Sequence, residues 1–137
     1  MSWIYKGENF EPDDTFLEEY IGFVYCITEI RTDMKYIGKK LFHNKKILPV
    51  TKTRKRRKRV RVESDWRAYY GSSELVKGIL QEQGDSAFQR EILRLCKSKG
   101  ECSYYEAKEQ FDRDVLLRED YYNGIINCRI NRKHLKI

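Results

Sequence analysis

The sequence contains no apolar run that approaches the roughly 20 residues needed by a membrane-spanning helix. Its first residues, MSWIYKG, also lack the charged start and long apolar stretch of a signal peptide. These two absences predict a protein that stays in the cytoplasm. No internal repeat appears along the 137 residues, and a chain of this length has the size of one domain with one modest core.

No two of the four cysteines form a Cys-x-x-Cys pair. A zinc site built from Cys96, Cys102, Cys128 and His134 is an alternative, but this spacing matches no familiar ligand pattern. With Cys26 added, the four cysteines are therefore predicted to be reduced thiols in the core.

Acidic residues are absent between positions 45 and 61, where the sequence reads KKILPVTKTRKRRKRVR. The formal net charge of the chain is +7, so removing these ten basic residues leaves −3 for the remainder. Such a block gains free energy by meeting a polyanion, because neutralised phosphates release their counterions. A solvated loop or a localisation signal is the alternative. Contact with nucleic acid is favoured, through Lys45, Lys46, Lys52, Arg54, Lys55, Arg56, Arg57, Lys58, Arg59 and Arg61.

The apolar pattern predicts a small α/β (α+β) domain. Residues 22–30 favour a strand, RTDMK makes a turn, and YIG begins a second strand. Residues 87–96 alternate in polarity and predict a third strand. Ser73 and Ser98 are predicted to cap two helices, the first of which ends at Gly84. The expected architecture is a mainly antiparallel three-stranded sheet flanked by helices.

Two segments lie outside this pattern within a single domain spanning residues 1–137. Residues 1–20 form an N-terminal extension in which Asp14 or Thr15 is predicted to cap a short helix. Residues 41–65 form a basic insertion, where Pro49 argues against a continuous helix. The alternation in RKRVRVE predicts either a short strand pair or a loop that becomes ordered only on binding.

Several side chains could share chemistry in this layout. The predicted hairpin brings Tyr25 near Tyr36, and Glu106 shares a helix face with Cys102 and Gln110. A carboxylate, tyrosines and cations together suit phosphodiester hydrolysis. A tyrosine is a poor base at neutral pH unless neighbouring cations lower its pKa. The alternative is that the two tyrosines are ordinary aromatic residues of the core.

The ordered set FVY, ten residues, YIG, then WRAYYGSSELVKGILQEQG, FQREIL, ECSYYEAKEQF and YYNGIIN resembles the GIY-YIG nuclease superfamily. The resemblance covers roughly residues 20–127 and is strongest to small phage-encoded endonucleases of the homing type. It implies a GIY-YIG fold and a phage protein acting in the bacterial host cytoplasm. It also implies a DNA endonuclease that depends on Mg²⁺ or Mn²⁺.

The resemblance also implies roles for individual residues. Tyr36 matches the signature tyrosine that acts as general base or positions water. Tyr25 matches the tyrosine that supports it or contacts the phosphate. Glu106 matches the metal ligand and Asn123 the asparagine that fixes the geometry of the site. Glu101 and Glu109 are less well placed rivals for the role of Glu106.

The sequence departs from the family where the catalytic arginine is expected, because the basic insertion occupies that region. Arg67 or Lys40 could replace this cation, with Tyr70 or His43 as the accompanying phosphate or water contact. Two hypotheses follow. The first is a metal-dependent DNA endonuclease that binds DNA mainly through residues 45–61, either as a monomer or as a homodimer. The second is a catalytically inactive nucleic-acid-binding module of the same fold, which the missing arginine favours.

Overall fold

The computed structural model describes residues 2–135. Five strands form its main sheet: β1 (Ile4–Tyr5), β2 (Glu8–Asn9), β3 (Gly22–Glu29), β4 (Lys35–Leu41) and β7 (Phe88–Cys96). They lie in the order β2-β1-β7-β3-β4. Strand β3 is antiparallel to both of its neighbours, β4 and β7, and β1 joins β7 in parallel.

The helices and a second, two-stranded sheet complete the fold, which confirms the predicted mixed α+β class. The three long antiparallel strands were predicted, whereas β1 and β2 were not. The remaining elements are α1 (Asp14–Glu19), β5 (His43–Leu48), β6 (Lys58–Glu63), α2 (Glu74–Gln83) and α3 (Lys99–Asp112), with 3₁₀ turns at Trp66–Ala68, Asp85–Ala87 and Arg132–His134.

Strand β3 is buried on both faces, because a packed cluster of side chains covers each face of the sheet. One face packs against an aromatic cluster that includes Trp3, Phe42 and Trp66. The other face packs against α3 through a cluster that includes Ile37 and Cys102. The N-terminal extension is part of the first cluster, since the Trp3 indole donates a hydrogen bond to the carbonyl of Trp66 at 2.7 Å.

Serine caps confirm the predicted starts of the two longer helices. Ser73 accepts a hydrogen bond from the backbone N–H of Val76, and Ser98 accepts one from Glu101. The predicted cap of α1 was wrong, because Asp14 and Thr15 lie inside that helix. Asp13 is the N-cap instead, and its carboxylate accepts from Phe16 N–H at 2.8 Å.

The basic insertion forms a hairpin of β5 and β6 rather than a loop, and it belongs to its own sheet. Its base is fixed to the body of the protein at both ends. The N–H of Ser64 donates to the carbonyl of Phe42 at 2.8 Å, and the Ser64 hydroxyl donates to that of Leu41 at 2.6 Å. The buried ring of Phe42 lies 5.1 Å from that of Trp66, centroid to centroid.

Three of the cysteines are buried thiols as predicted, whereas Cys128 is exposed, which corrects its assignment to the core. A hydrogen bond to Cys96 and burial raise the pKa of the Cys102 thiol. Within residues 2–135, no three His, Cys, Asp or Glu side chains are grouped to hold a metal ion, so the zinc alternative has no support. The side chain of His134 lies outside the described part. Over the same residues, the helices are too short or too polar to cross a membrane.

Candidate active site

Strand β4 ends the main sheet, and its outer edge is covered by the segment that follows α3. Lys35 and Tyr121 form a parallel bridge, and Tyr122 N–H donates to the carbonyl of Lys35 at 2.7 Å. The side-chain amide of Asn123 then takes the place of the next backbone peptide. It accepts from Ile37 N–H at 3.0 Å and donates to the carbonyl of Ile37 at 2.8 Å. Asn123 therefore fixes β4 at the centre of the YIG motif.

A cleft of about 310 Å³ opens at this edge of the sheet. It brings together three residues that the sequence singled out as catalytic, Tyr36, Glu106 and Asn123. The cleft is lined by Tyr36, Lys39, Ser72, Glu106, Gln110, Asn123, Gly124, Ile125 and Asn127.

The two signature tyrosines have different surroundings. The Tyr36 hydroxyl lies at the cleft, 2.9 Å from the Ser72 hydroxyl. Tyr25 is only 1% exposed, with its ring 6.3 Å from that of Tyr36 and 6.0 Å from that of Tyr69, centroid to centroid. Burial raises the pKa of both phenols, although the hydrogen bond to Ser72 partly opposes this for Tyr36. Tyr36 would need neighbouring cations to lower its pKa before it could act as a base at neutral pH. Its surroundings have the opposite net effect on the pKa, because burial outweighs the charge of Lys77.

Two glycines leave the space that these tyrosines fill. A Cβ atom on Gly38 would lie 2.6 Å from Cζ of Tyr25, so the YIG glycine lets that ring cross the neighbouring strand. Gly71 adopts a φ of 92°, which disfavours other residues. A Cβ there would lie 3.3 Å from the Tyr36 ring. The glycines of YIG and YYG thus shape the tyrosine pair.

Glu106 lies on the face of α3 that packs against β4, and its side chain is half-buried. Burial raises the pKa of its carboxyl, while the ammonium group and the backbone N–H of Lys39 act in the opposite direction. The Lys39 ammonium donates to the Ser103 hydroxyl at 2.7 Å. Lys39 is thus the cation beside the carboxylate, whereas Lys40 or Arg67 was proposed from the sequence.

Neither of those two cations lines the cleft. Lys40 points to the opposite face of β4, where its ammonium lies 2.6 Å from a carboxylate oxygen of Asp65 and 4.0 Å from the centre of the Tyr69 ring. Arg67 pairs with Glu63 at 3.1 Å, stacks on Trp66 and borders a different pocket.

The predicted accompanying residues also lie elsewhere. Tyr70 is buried in the core, with its ring 6.1 Å from that of Phe88 and 4.2 Å from the guanidinium carbon of Arg90. His43 begins β5 and borders a separate depression with Glu18 and Arg61. Partial burial and the charge of Arg61 lower the pKa of His43.

The cleft contains residues to which the sequence reading gave no role. Ser72 directly precedes the predicted cap Ser73, and Gln110 was noted only for sharing a helix face with Glu106. The Gln110 amide donates to the carbonyl of Ile37 at 3.1 Å. Its Oε1 is buried and has no hydrogen-bond partner in the described chain. The period of α3 was the available signal for Gln110, whereas nothing local distinguished Ser72 from Ser73.

The donor set suits a hard divalent cation held by few protein groups. Among the residues that line the cleft, Glu106 is the one carboxylate, and the orphaned Gln110 oxygen lies one turn beyond it on the same helix. Mg²⁺ keeps several waters and binds through one or two carboxylates together with substrate phosphates. The residues present fit such an ion.

Comparison with known families agrees with this geometry. A family model described as "Putative endonuclease segE, GIY-YIG domain" matches residues 3–126. The chain belongs to this GIY-YIG family. No curated protein and no solved structure gave a match. In this GIY-YIG nuclease domain, FVY and YIG are the paired strands β3 and β4, with Tyr25 directly opposite Gly38.

Proposed function

We propose that the protein is a metal-dependent DNA endonuclease that hydrolyses phosphodiester bonds in the cleft beside β4. The observation that carries this proposal is the convergence of Tyr36, Lys39 and Glu106 on one cleft of a GIY-YIG domain. A hydroxyl, a cation and a carboxylate at one site are the groups that phosphodiester hydrolysis uses.

Glu106 would hold the divalent ion, Mg²⁺ or Mn²⁺. When bound, such an ion neutralises charge on the phosphate and lowers the pKa of a coordinated water. The raised pKa of Glu106 reflects a buried carboxyl that lacks a full counter-charge, and Lys39 supplies only part of it. A divalent cation therefore suits this position electrostatically.

Tyr36 keeps its proton at neutral pH, since burial raises its pKa. Its hydroxyl, held by Ser72, would orient the attacking water instead of deprotonating it. The Lys39 ammonium would neutralise the charge that develops on the phosphate as water adds to phosphorus and the bond to one ester oxygen breaks. Tyr25 supports this arrangement by packing between Gly38 and Tyr69.

DNA is the proposed substrate, and the ten cations of residues 45–61 are proposed to bind its phosphates. One cleft cuts one strand, so cleavage of both strands needs two successive events or a homodimer. The proposed place of action is the cytoplasm of a phage-infected bacterium.

Supercoiled-plasmid cleavage tests the proposal. We expect nicking in Mg²⁺ or Mn²⁺ and none in EDTA. Glu106→Gln should lower the rate by about 10²-fold or more, because one metal ligand is lost, while DNA binding persists. Glu101→Gln, on the first turn of the same helix, is the matched control and should cut normally. Binding to DNA and RNA substrates without cutting would instead identify the inactive binding module.

A further inference from the structure

The basic hairpin is an ordered two-stranded ribbon. Strands β5 and β6 are antiparallel through six residue pairs, from His43 opposite Glu63 to Leu48 opposite Lys58. Its tip is also closed: Thr51 and Arg54 exchange two backbone hydrogen bonds, and the Arg54 guanidinium donates to the carbonyl of Pro49 at 2.6 Å. With the base fixed by Phe42 and Ser64, the ribbon has one defined direction relative to the body.

The charges of this ribbon lack internal partners. Within residues 2–135, none of the ten cations between 45 and 61 pairs with an acidic side chain. Lys45 lies directly opposite Arg61, and like charges in that position destabilise a strand pair. An isolated two-stranded hairpin is at best marginally stable in water. A polyanion along the ribbon would remove the repulsion.

Acidic residues mark where the contact ends. Glu63 accepts from Trp66 and Arg67 at the base of the ribbon, and Asp14 and Glu18 border the same depression as Arg61. Acidic side chains disfavour phosphate, so the DNA-facing part is the distal ribbon and its tip. This part also exposes apolar side chains, with Ile47 54% and Val50 56% exposed.

The shape selects the groove. Paired strands lie about 4.8 Å apart, and with side chains such a ribbon fits the B-DNA major groove, which is about 12 Å wide, but not the minor groove of about 6 Å. We propose that this hairpin binds double-stranded B-form DNA as a preformed β-ribbon in the major groove, and not as a flexible polycation. The inference rests on the proposed function and identifies how its DNA partner is held.

Proline variants test the ribbon without changing its charge. Ile47 and Val60 belong to adjacent residue pairs, and hydrogen-bonded pairs alternate with non-bonded pairs, so Ile47→Pro/Val60→Pro removes at least one ladder hydrogen bond. Ile47→Ala/Val60→Ala removes the same two side chains but keeps every backbone donor of the ladder, so it is the matched control. All variants carry Glu106→Gln, and affinity for a 30-base-pair duplex is measured by fluorescence anisotropy.

We expect the proline variant to bind the duplex about tenfold or more weakly than the alanine variant, because only the proline variant disrupts the ladder. Equal affinities would overturn the proposal, because a flexible polycation would bind DNA equally well without the ladder. A second measurement needs no proline variant: methyl green, which occupies the major groove, should displace the Glu106→Gln protein, and distamycin, which occupies the minor groove, should not. Displacement by distamycin alone overturns the proposal even if the proline variant fails to fold.

Double-stranded RNA completes the test, because its deep, narrow major groove admits no ribbon. We expect at least about tenfold weaker binding to RNA than to DNA of the same sequence, and equal binding would contradict the inference. Plasmid nicking by the otherwise wild-type enzyme is recorded in parallel. If the enzyme nicks plasmid but the binding results contradict the expectations above, only the ribbon inference is refuted. If the enzyme neither nicks plasmid nor binds DNA, the proposed function is refuted.

Discussion

Lys39 and Lys40 are neighbours in sequence, yet they lie on opposite faces of β4. Lys39 borders the cleft beside Glu106 and contacts Ser103, whereas Lys40 pairs with Asp65 next to Tyr69. Side chains of successive strand residues alternate between faces, so one step along the chain changes the environment completely. The structure therefore separates the two cations by what each can touch.

Replacing each of these lysines by methionine should give very different results. Lys39→Met removes the cation beside Glu106, so we expect nicking to fall by about 10²-fold with fold and DNA affinity kept. Lys40→Met breaks the pair with Asp65 and the contact with the Tyr69 ring, both on the face of β4 away from Glu106, so its rate should stay within about fivefold of wild type. Single-turnover nicking rates measure both. Equal rates for the two variants would exclude Lys39 from the chemistry.

Gly38→Ala should destabilise the protein, because the added Cβ would overlap the Tyr25 ring. Overpacking of this kind costs about 1–3 kcal/mol of the free energy of unfolding. Gly78 is the contrast: it lies inside α2 with nothing within 4 Å of its Cβ position, so Gly78→Ala should stabilise by about 0.5–1 kcal/mol. Urea unfolding of both variants checks the signs, and a Gly38→Ala protein as stable as wild type would contradict the packing of Tyr25.

The structure brings Tyr36, Glu106 and Asn123, which the resemblance singled out, into one cleft. Lys39 also lines this cleft, whereas Lys40, which was proposed to replace the family's arginine, lies on the other face of β4. Tyr69, and not the proposed Tyr70, packs against Tyr25. The cleft lies at the strand edge and collects side chains from both faces of β4, so alternation alone could not select the lysine. Tyr69 follows a 3₁₀ turn whose orientation depends on Arg90, which donates to the carbonyls of Arg67 and Tyr69.

At the scale of elements, the Asn123 side chain hydrogen-bonds to the edge of β4 as the backbone of a neighbouring strand would. Asn123→Asp keeps the acceptor for Ile37 N–H but loses the donor to the Ile37 carbonyl. We expect a loss of about 1–3 kcal/mol in the free energy of unfolding, because a buried bond becomes a repulsion. Asn127→Asp adds the same charge to the cleft from an exposed position and should leave the stability nearly unchanged. Thermal unfolding distinguishes the two variants, and equal melting temperatures would show that the Asn123 amide does not stabilise β4.

Elements with a strong local pattern were predictable, and those formed by distant pairing were not. Helices α2 and α3 have serine caps and a helical period, and β3 is a long apolar run. Strands β1 and β2 contain two residues each and exist because β1 pairs with β7, more than 80 residues away in the chain. Such short strands leave no period to detect.

The whole molecule separates its charges, with ten cations concentrated in a hairpin outside the main sheet. Residues 45–61 can be replaced by Asn-Gly, because Asn44 and Val62 face each other across the strands and a two-residue turn closes such a pair. We expect the melting temperature to stay nearly unchanged, since Phe42 and Trp66 remain in the core.

DNA affinity of this shortened protein should fall by about 100-fold or more, and the slope of log affinity against log salt should drop by several units. Titrations between 50 and 200 mM salt, roughly the range over which counterion release is large, provide the measurement. A protein that folds, binds and shows the original salt slope would exclude the hairpin from the DNA contact.

Because Phe42 anchors the hairpin, the distance between the cleft and the DNA-binding part of the hairpin is limited. Sixteen residue steps separate Tyr36 from Lys52, in the turn at the tip of the hairpin. At about 3.3 Å per residue they span at most about 53 Å, or roughly 16 base pairs of B-DNA at 3.4 Å each. The broken bond should therefore lie within about one and a half helical turns of the bases that the ribbon touches. The cleavage site would then lie at a limited spacing from the bases that the ribbon contacts, and the protein itself would set that spacing.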